Sequence, residues 1–190
     1  MKTKIGVLLM FCVPVTALAA DDCLTGKWEA VGESAKPSTA RSDMDTLNIS
    51  GRLTLEFGED FAPGENDASK RRLKVTYEDY KVLGESTVGP VKNYKWARFE
   101  GTSEGHWLHP KDGPFVTLTP KDKVMSEWKL KMEIPGSGRP SDWQTLNSGP
   151  TRAPHRDEFE YECHGNELVL RNVMLPGIGA LQYTGRFRRQ

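Results

Sequence analysis

Four histidines supply the imidazole chemistry of this chain: His106, His109, His155 and His164. His106 and His109 stand three residues apart, a spacing that can bring two ring nitrogens to one metal ion in a turn or helix. No cysteine or carboxylate cluster accompanies them, so the plainer reading is a pair of ordinary loop histidines, and neither metal nor cofactor is expected. His164, beside Gly165-Asn166, reads as a turn residue. Serine, histidine and aspartate are all present, but there is no nucleophile elbow, phosphate-binding glycine loop or dinucleotide fingerprint. The expectation is a protein that performs no covalent chemistry.

Three cysteines remain to be placed. Cys12 lies inside a leader. Met1-Lys2-Thr3-Lys4 is a short positive start, an apolar run extends from Ile5 to Val15, and Thr16 to Ala20 supplies small residues ahead of Asp21-Asp22. This pattern predicts a signal peptide over residues 1–20, cut after Ala19 or Ala20. The run is too short for a spanning helix, which needs about 20 apolar residues, and no later segment qualifies. The rest, 21–190, is expected to be one domain in the periplasm or secreted. Cys23 and Cys163 then form an even pair in an oxidising compartment, which points to a disulfide. The alternative is two free thiols or half a metal site.

The tryptophans carry most of the remaining binding potential. Trp96 and Trp128 fall in expected strands, and Trp107 and Trp143 in expected loops. Trp128, with Ser126 and Leu130 on the same side of a strand, and Trp96 with Tyr94, are candidates to line a ligand site. Tyr161 and Tyr183 are candidates to orient polar groups of the ligand. The alternative for Trp96 and Trp128 is plain core packing. Trp107 and Trp143 are candidates to cover a mouth or to dock on a partner.

These residues must be positioned by strands. Val124, Ser126, Trp128, Leu130, Met132 and Ile134 alternate with Glu127, Lys129, Lys131 and Glu133, a period of two with one apolar face. Leu53, Leu55 and Phe57 alternate likewise, as do Phe159, Tyr161 and Cys163, and Leu181, Tyr183, Gly185 and Phe187. A tight turn at Gly165-Asn166 sets Cys163 opposite Leu168 and Tyr161 opposite Leu170, which keeps the apolar residues on one face. Nine strands are expected, over 25–31, 47–57, 72–82, 91–100, 114–119, 123–134, 157–164, 167–173 and 180–188. Loops are expected over 32–46, 58–71, 101–113 and 135–156. Strands 123–134 and 157–164 are expected to pair, with Glu158, Glu160 and Glu162 facing Lys129 and Lys131 as a solvated ladder. The fold class is therefore all-β, a single antiparallel up-and-down barrel of about eight or nine strands.

Gly26-Lys27-Trp28 at the first strand, with arginines on the last, resembles the lipocalin-like (calycin) barrels. The resemblance implies that Trp28 packs across the closed end and that Arg186 or Arg188 stacks on it. Cys23-Leu24-Thr25-Gly26-Lys27-Trp28 and Trp128-Lys129-Leu130 resemble stretches of the avidin family, and Ser34 matches a ligand-contacting serine there. Ala30 stands where that family has a ligand-contacting asparagine, so the resemblance implies shared barrel architecture rather than the family's ligand. Tyr161-Glu162-Cys163-His164-Gly165 resembles part of the periplasmic C-type lysozyme inhibitors.

The balance of charge narrows the partners. The 190 residues carry 26 Lys plus Arg and 26 Asp plus Glu, and loss of residues 1–20 removes two lysines and no acid. A chain with no basic excess is not expected to bind nucleic acid. The expected function is an exported, non-enzymatic protein holding a small, largely apolar ligand in a barrel. The alternative is a periplasmic inhibitor or immunity-like protein that meets an envelope protein through its loops. The sequence does not specify the ligand or the oligomeric state.

Overall fold

A computed structural model describes residues 23–37, 44–64, 67, 69–109, 113–172 and 181–190. The expected leader lies outside the described residues. Ten antiparallel strands follow in order: β1 (Gly26–Pro37), β2 (Met44–Phe61), β3 (Arg71–Val88), β4 (Val91–Leu108), β5 (Phe115–Pro120), β6 (Lys123–Glu133), β7 (Gln144–Arg152), β8 (Asp157–His164), β9 (Glu167–Asn172) and β10 (Leu181–Arg189). Their order in the sheet is β3-β2-β1-β10-β9-β8-β5-β4, and β4 pairs back onto β3 to close an eight-stranded barrel. The eight run up and down, as expected. The β6–β7 hairpin is the addition, and β7 occupies part of the stretch 135–156 expected to be loop.

Strand length explains how both arrangements coexist. β2, β3 and β4 each run 18 residues, about three times a common strand. β4 forks. Its residues 105–108 pair with β5, whereas residues 92–100 pair with β6. The barrel is thus complete at one end, and at the other β6 takes the place beside β4 that β5 has vacated. This corrects the expected pairing of 123–134 with 157–164: β6 lies between β4 and β7, and β8 lies between β5 and β9. The expected ladder dissolves with it. Glu162 pairs instead with Arg171 at 2.6 Å, while Lys129 meets Glu127 at 2.9 Å. The 159–170 hairpin has the expected register, Cys163 opposite Leu168 and Tyr161 opposite Leu170.

The complete end is sealed. Leu53, Leu55, Phe57, Leu73, Val75, Leu118, Leu168 and Leu170 point inward at alternate positions and are buried. Trp28 lies across this end, its indole N–H donating to the Leu24 carbonyl at 2.8 Å. The arginine over its ring is Arg189, with the guanidinium carbon 4.6 Å from the ring centroid, rather than Arg186 or Arg188. Period two gives the reason: Phe187 and Arg189 share the inward face, so 186 and 188 face solvent. Arg189 also donates to the carbonyls of Thr25 (3.1 Å) and Cys23 (2.8 Å).

Cys23 and Cys163 form a disulfide over a separation of 140 residues, a bond that fits an oxidising environment. Closing so long a loop stabilises by about 5 kcal/mol in the chain-entropy description. Paired Cys23→Ser and Cys163→Ser is therefore expected to lower the thermal midpoint by about 10 °C or more, the shift that a few kcal/mol produces in a chain of this size. An unchanged midpoint against the oxidised protein in calorimetry contradicts a structural role for the bond.

Candidate functional site

Above the sealed end, the strands break their own alternation. On β1, Trp28 and Ala30 face inward opposite Arg189 and Phe187. A strict period of two would then turn residue 33 to solvent. The register slips between Ala30 and Gly32, leaving Val31 as an extra, exposed residue. Beyond this bulge the parity is reversed, and Glu33 faces inward opposite Gly185.

A second bulge does the same on β3. Tyr77 pairs with Gly101 and Tyr80 with Phe99, so three steps on β3 answer two on β4. The extra residue is Asp79, at φ 49°. Its carboxylate meets Lys81 and, at 2.7 Å, Arg98, and its N–H donates to Glu100 at 2.8 Å. The bond from Lys81, followed by the charges of Lys81 and Arg98, holds the Asp79 carboxyl below its usual range. Opposite it, Gly51 has φ 89°, and a Cβ there would lie 2.1 Å from the Asp79 carbonyl oxygen. Only glycine allows this approach. As a result Tyr77 and Tyr80, three apart in sequence, both point into the barrel and are buried.

The two bulges bring Glu33, Tyr77 and Tyr80 together with His155, which sits between β7 and β8, and Tyr183 on β10. Gly185 leaves the space for Tyr183, since a Cβ at 185 would lie 2.4 Å from the phenol oxygen. The hydrogen bonds form one chain. The His155 backbone N–H donates to the Tyr77 oxygen at 3.2 Å. The Tyr77 hydroxyl is also hydrogen-bonded to His155 Nδ1 at 3.1 Å. On the other side of the ring, His155 Nε2 lies 3.2 Å from the Tyr183 oxygen. Tyr183 donates to Glu33 Oε1 in a short bond, and Tyr80 donates to the same oxygen at 3.3 Å. His155 Nε2 also stands 3.5 Å from Glu33 Oε1, so the imidazole joins the carboxylate to the phenols.

Aromatic faces surround these polar tips. His155 packs on Tyr77, Tyr80 and Tyr183 with ring centroids 5.2–5.7 Å apart. Phe99 lies against Tyr77 and Tyr80, and Trp128 meets Phe99 edge-on at 5.6 Å. A continuous series of rings thus runs from the buried cluster up to β6.

The residues expected from sequence divide into groups. Trp128, Ser126 and Leu130 share the inner face of β6. Trp128 is 38% exposed, Leu130 is half-buried, and the buried Ser126 hydroxyl donates to the Gly149 carbonyl across to β7. Tyr183 belongs to the polar cluster. Tyr94 and Trp96 are on the opposite face of β4 from Ala97 and Phe99: Lys131 stands over Tyr94 at 5.8 Å and Lys129 over Trp96 at 4.8 Å. They are therefore not brought together with Trp128. Tyr161 is buried and bonded to His109 at 2.6 Å. Trp107, expected on a loop, is instead a core residue of β4, 1% exposed, edge-on to Phe57 and donating to the Gly58 carbonyl. Trp143 precedes β7 and is exposed. Among the described residues no group of three or more His, Cys, Asp or Glu is placed to hold a metal, and no helix is long and apolar enough to cross a membrane.

Glu33, Tyr77, Tyr80 and His155 are the site residues that sequence reasoning missed. Their signal is faint but physical: Tyr77-Glu78-Asp79-Tyr80 places two tyrosines three apart, which share a face only if a bulge lies between them.

Comparison with known proteins found nothing like this chain: no family model matches it, and no match was found among curated proteins or solved structures.

Burial, reinforced by the negative charge of Glu33, raises the hydroxyls of Tyr80 and Tyr183 well above their ordinary value; Tyr77 is raised chiefly by burial. All three stay protonated as donors. Unfolding returns them to about 10, so above that pH the unfolded chain sheds protons that the folded chain keeps, and stability falls as pH rises. Below it these groups contribute no pH dependence. At about pH 11, adding denaturant is expected to release the absorbance of at least three further phenolates. A native spectrum in which these tyrosines are already ionised contradicts the arrangement.

Proposed function

We propose that this chain is an exported, non-enzymatic binding protein that takes a small, largely apolar ligand into the end of its barrel flanked by β6, in the periplasm or after secretion. The observation that carries the reading is Trp128. It stands on the inner face of β6, edge-on to Phe99 and partly exposed, directly above a buried polar floor. Leu130 and Met132 continue the same face, half-buried. A ligand covering this face gains about 25 cal/mol for each Å² of apolar surface removed from water, and the floor orients it. The hydroxyls of Tyr80 and Tyr183 are already committed to Glu33, which favours holding a ligand over proton transfer.

A specific observation supports a second reading, a protein partner met by the β6–β7 hairpin. Of the seven large hydrophobic residues exposed among the described residues, Met125, Trp128, Ile134, Trp143 and Leu146 lie on this hairpin or its turn. β7 also ends the sheet order. The Leu146 bulge and Pro150 blunt that edge against indiscriminate pairing.

Native mass spectrometry on protein purified without detergent separates the two. The expected result is an added small mass that is lost on organic extraction, with its occupancy reduced about tenfold in Trp128→Ala, on the order of the loss of one aromatic contact. A clean mass with an intact fold contradicts the barrel reading and moves the assignment to the hairpin.

A further inference from the structure

Among the described strands β7 alone has a single neighbour. β3, at the other end of the sheet order, pairs back onto β4, whereas β7 pairs only with β6. We infer that the outer edge of β7 pairs antiparallel with β7 of a second copy of this chain, about a two-fold axis at Asn147, so that Asp142 of each copy meets Arg152 of the other. The inference rests on the hairpin surface of the second reading and names its partner; it is independent of the barrel ligand.

An edge strand presents a row of unpaired N–H and C=O groups, and natural sheets commonly guard it with charge. β7 lacks that guard. From Trp143 to Thr151 there is no charged side chain, and the strand is exposed, Gly149 and Thr151 in part. Its charges stand at the flanks, Asp142 before the strand and Arg152 at its end. Both are exposed, and neither has an ion pair or a side-chain hydrogen bond among the described residues. A two-fold axis at Asn147 lies five residues from each. Antiparallel pairing about it therefore sets Asp142 against the second copy's Arg152 at two symmetric points. In the same register Leu146, 60% exposed, falls opposite the second copy's Ser148, and the two Leu146 side chains become diagonal neighbours across the axis. A strand from another protein would have to reproduce this reversed charge pattern, which β7 already carries. Pro150 has no N–H to donate and Leu146 interrupts the β6 ladder, so the new ladder is short and the dimer weak.

Sedimentation equilibrium of the purified protein over a range of concentrations tests this, with cooperative unfolding of each variant as the check on its fold. A reversible monomer–dimer equilibrium is expected. Asp142→Arg and Arg152→Asp are each expected to weaken it about tenfold, because each sets like charges together at two symmetric points. The double variant exchanges the two charges and is expected to restore the equilibrium of the unaltered protein. Leu146→Lys is expected to weaken it by at least as much as either single variant. A monomer at every concentration overturns the inference and leaves the hairpin to a strand of another protein, so the second reading survives it. A dimer indifferent to both single charge reversals, or a double variant as weak as the single ones, puts the contact elsewhere and overturns it too.

Discussion

A carboxylate enclosed by protein has lost the water that would solvate its charge, and the free energy of that loss has to be offset locally. Much of the half of this barrel where β6 replaces β5 beside β4 can be understood as the offset for Glu33. Two phenols donate to one of its oxygens, an imidazole holds one of those phenols, and a third phenol fixes the imidazole by using both its backbone N–H and Nδ1. Each member positions the next, so the orientation of the carboxylate is set by groups on β1, β3, β10 and the β7–β8 connection together. The missing Cβ at Gly185 belongs to the same solution, because a Cβ there would displace the Tyr183 ring.

The two ends of the barrel divide the work. One end is closed by Trp28 beneath Arg189, by the 23–163 disulfide and by layers of leucine. Stability is concentrated there. The other end is built from strands that outrun the barrel and from a hairpin that takes over the vacated side of β4. Bulges mark the boundary between the two halves: Val31 on β1 and Asp79 on β3 both lie where the leucine layers give way to the polar cluster. Bulges commonly re-aim side chains near functional sites, and here they turn a carboxylate and a tyrosine inward.

The sequence disclosed the parts of this fold that obey period two. Leu53-Leu55-Phe57, the β6 alternation and the 159–170 hairpin were legible because each residue's face follows from its neighbour's. The disulfide was legible from compartment and count. The candidate site was not, because it is built where alternation fails. From Trp28 inward, a strict alternation assigns Glu33 to solvent, and a tyrosine pair three apart looks split between two faces. His155 lay in a stretch rich in Gly and Pro, which concealed both β7 and the turn that carries the imidazole into the barrel. The forked β4 was hidden for a related reason. Its continuation through Gly101, Ser103 and Gly105 reads as loop by composition, although those small residues pair in register with Tyr77, Val75 and Leu73, and Ser103 is fully buried.

The central claim is that Glu33 is a carboxylate inside the barrel, held by the hydroxyls of Tyr80 and Tyr183. Infrared difference spectroscopy between the protein and Glu33→Gln at neutral pH measures this directly. The account predicts loss of one carboxylate stretching pair, with no carboxylic-acid C=O band removed. Loss of a carboxylic-acid C=O band instead would show a protonated Glu33 and would contradict the account at its foundation.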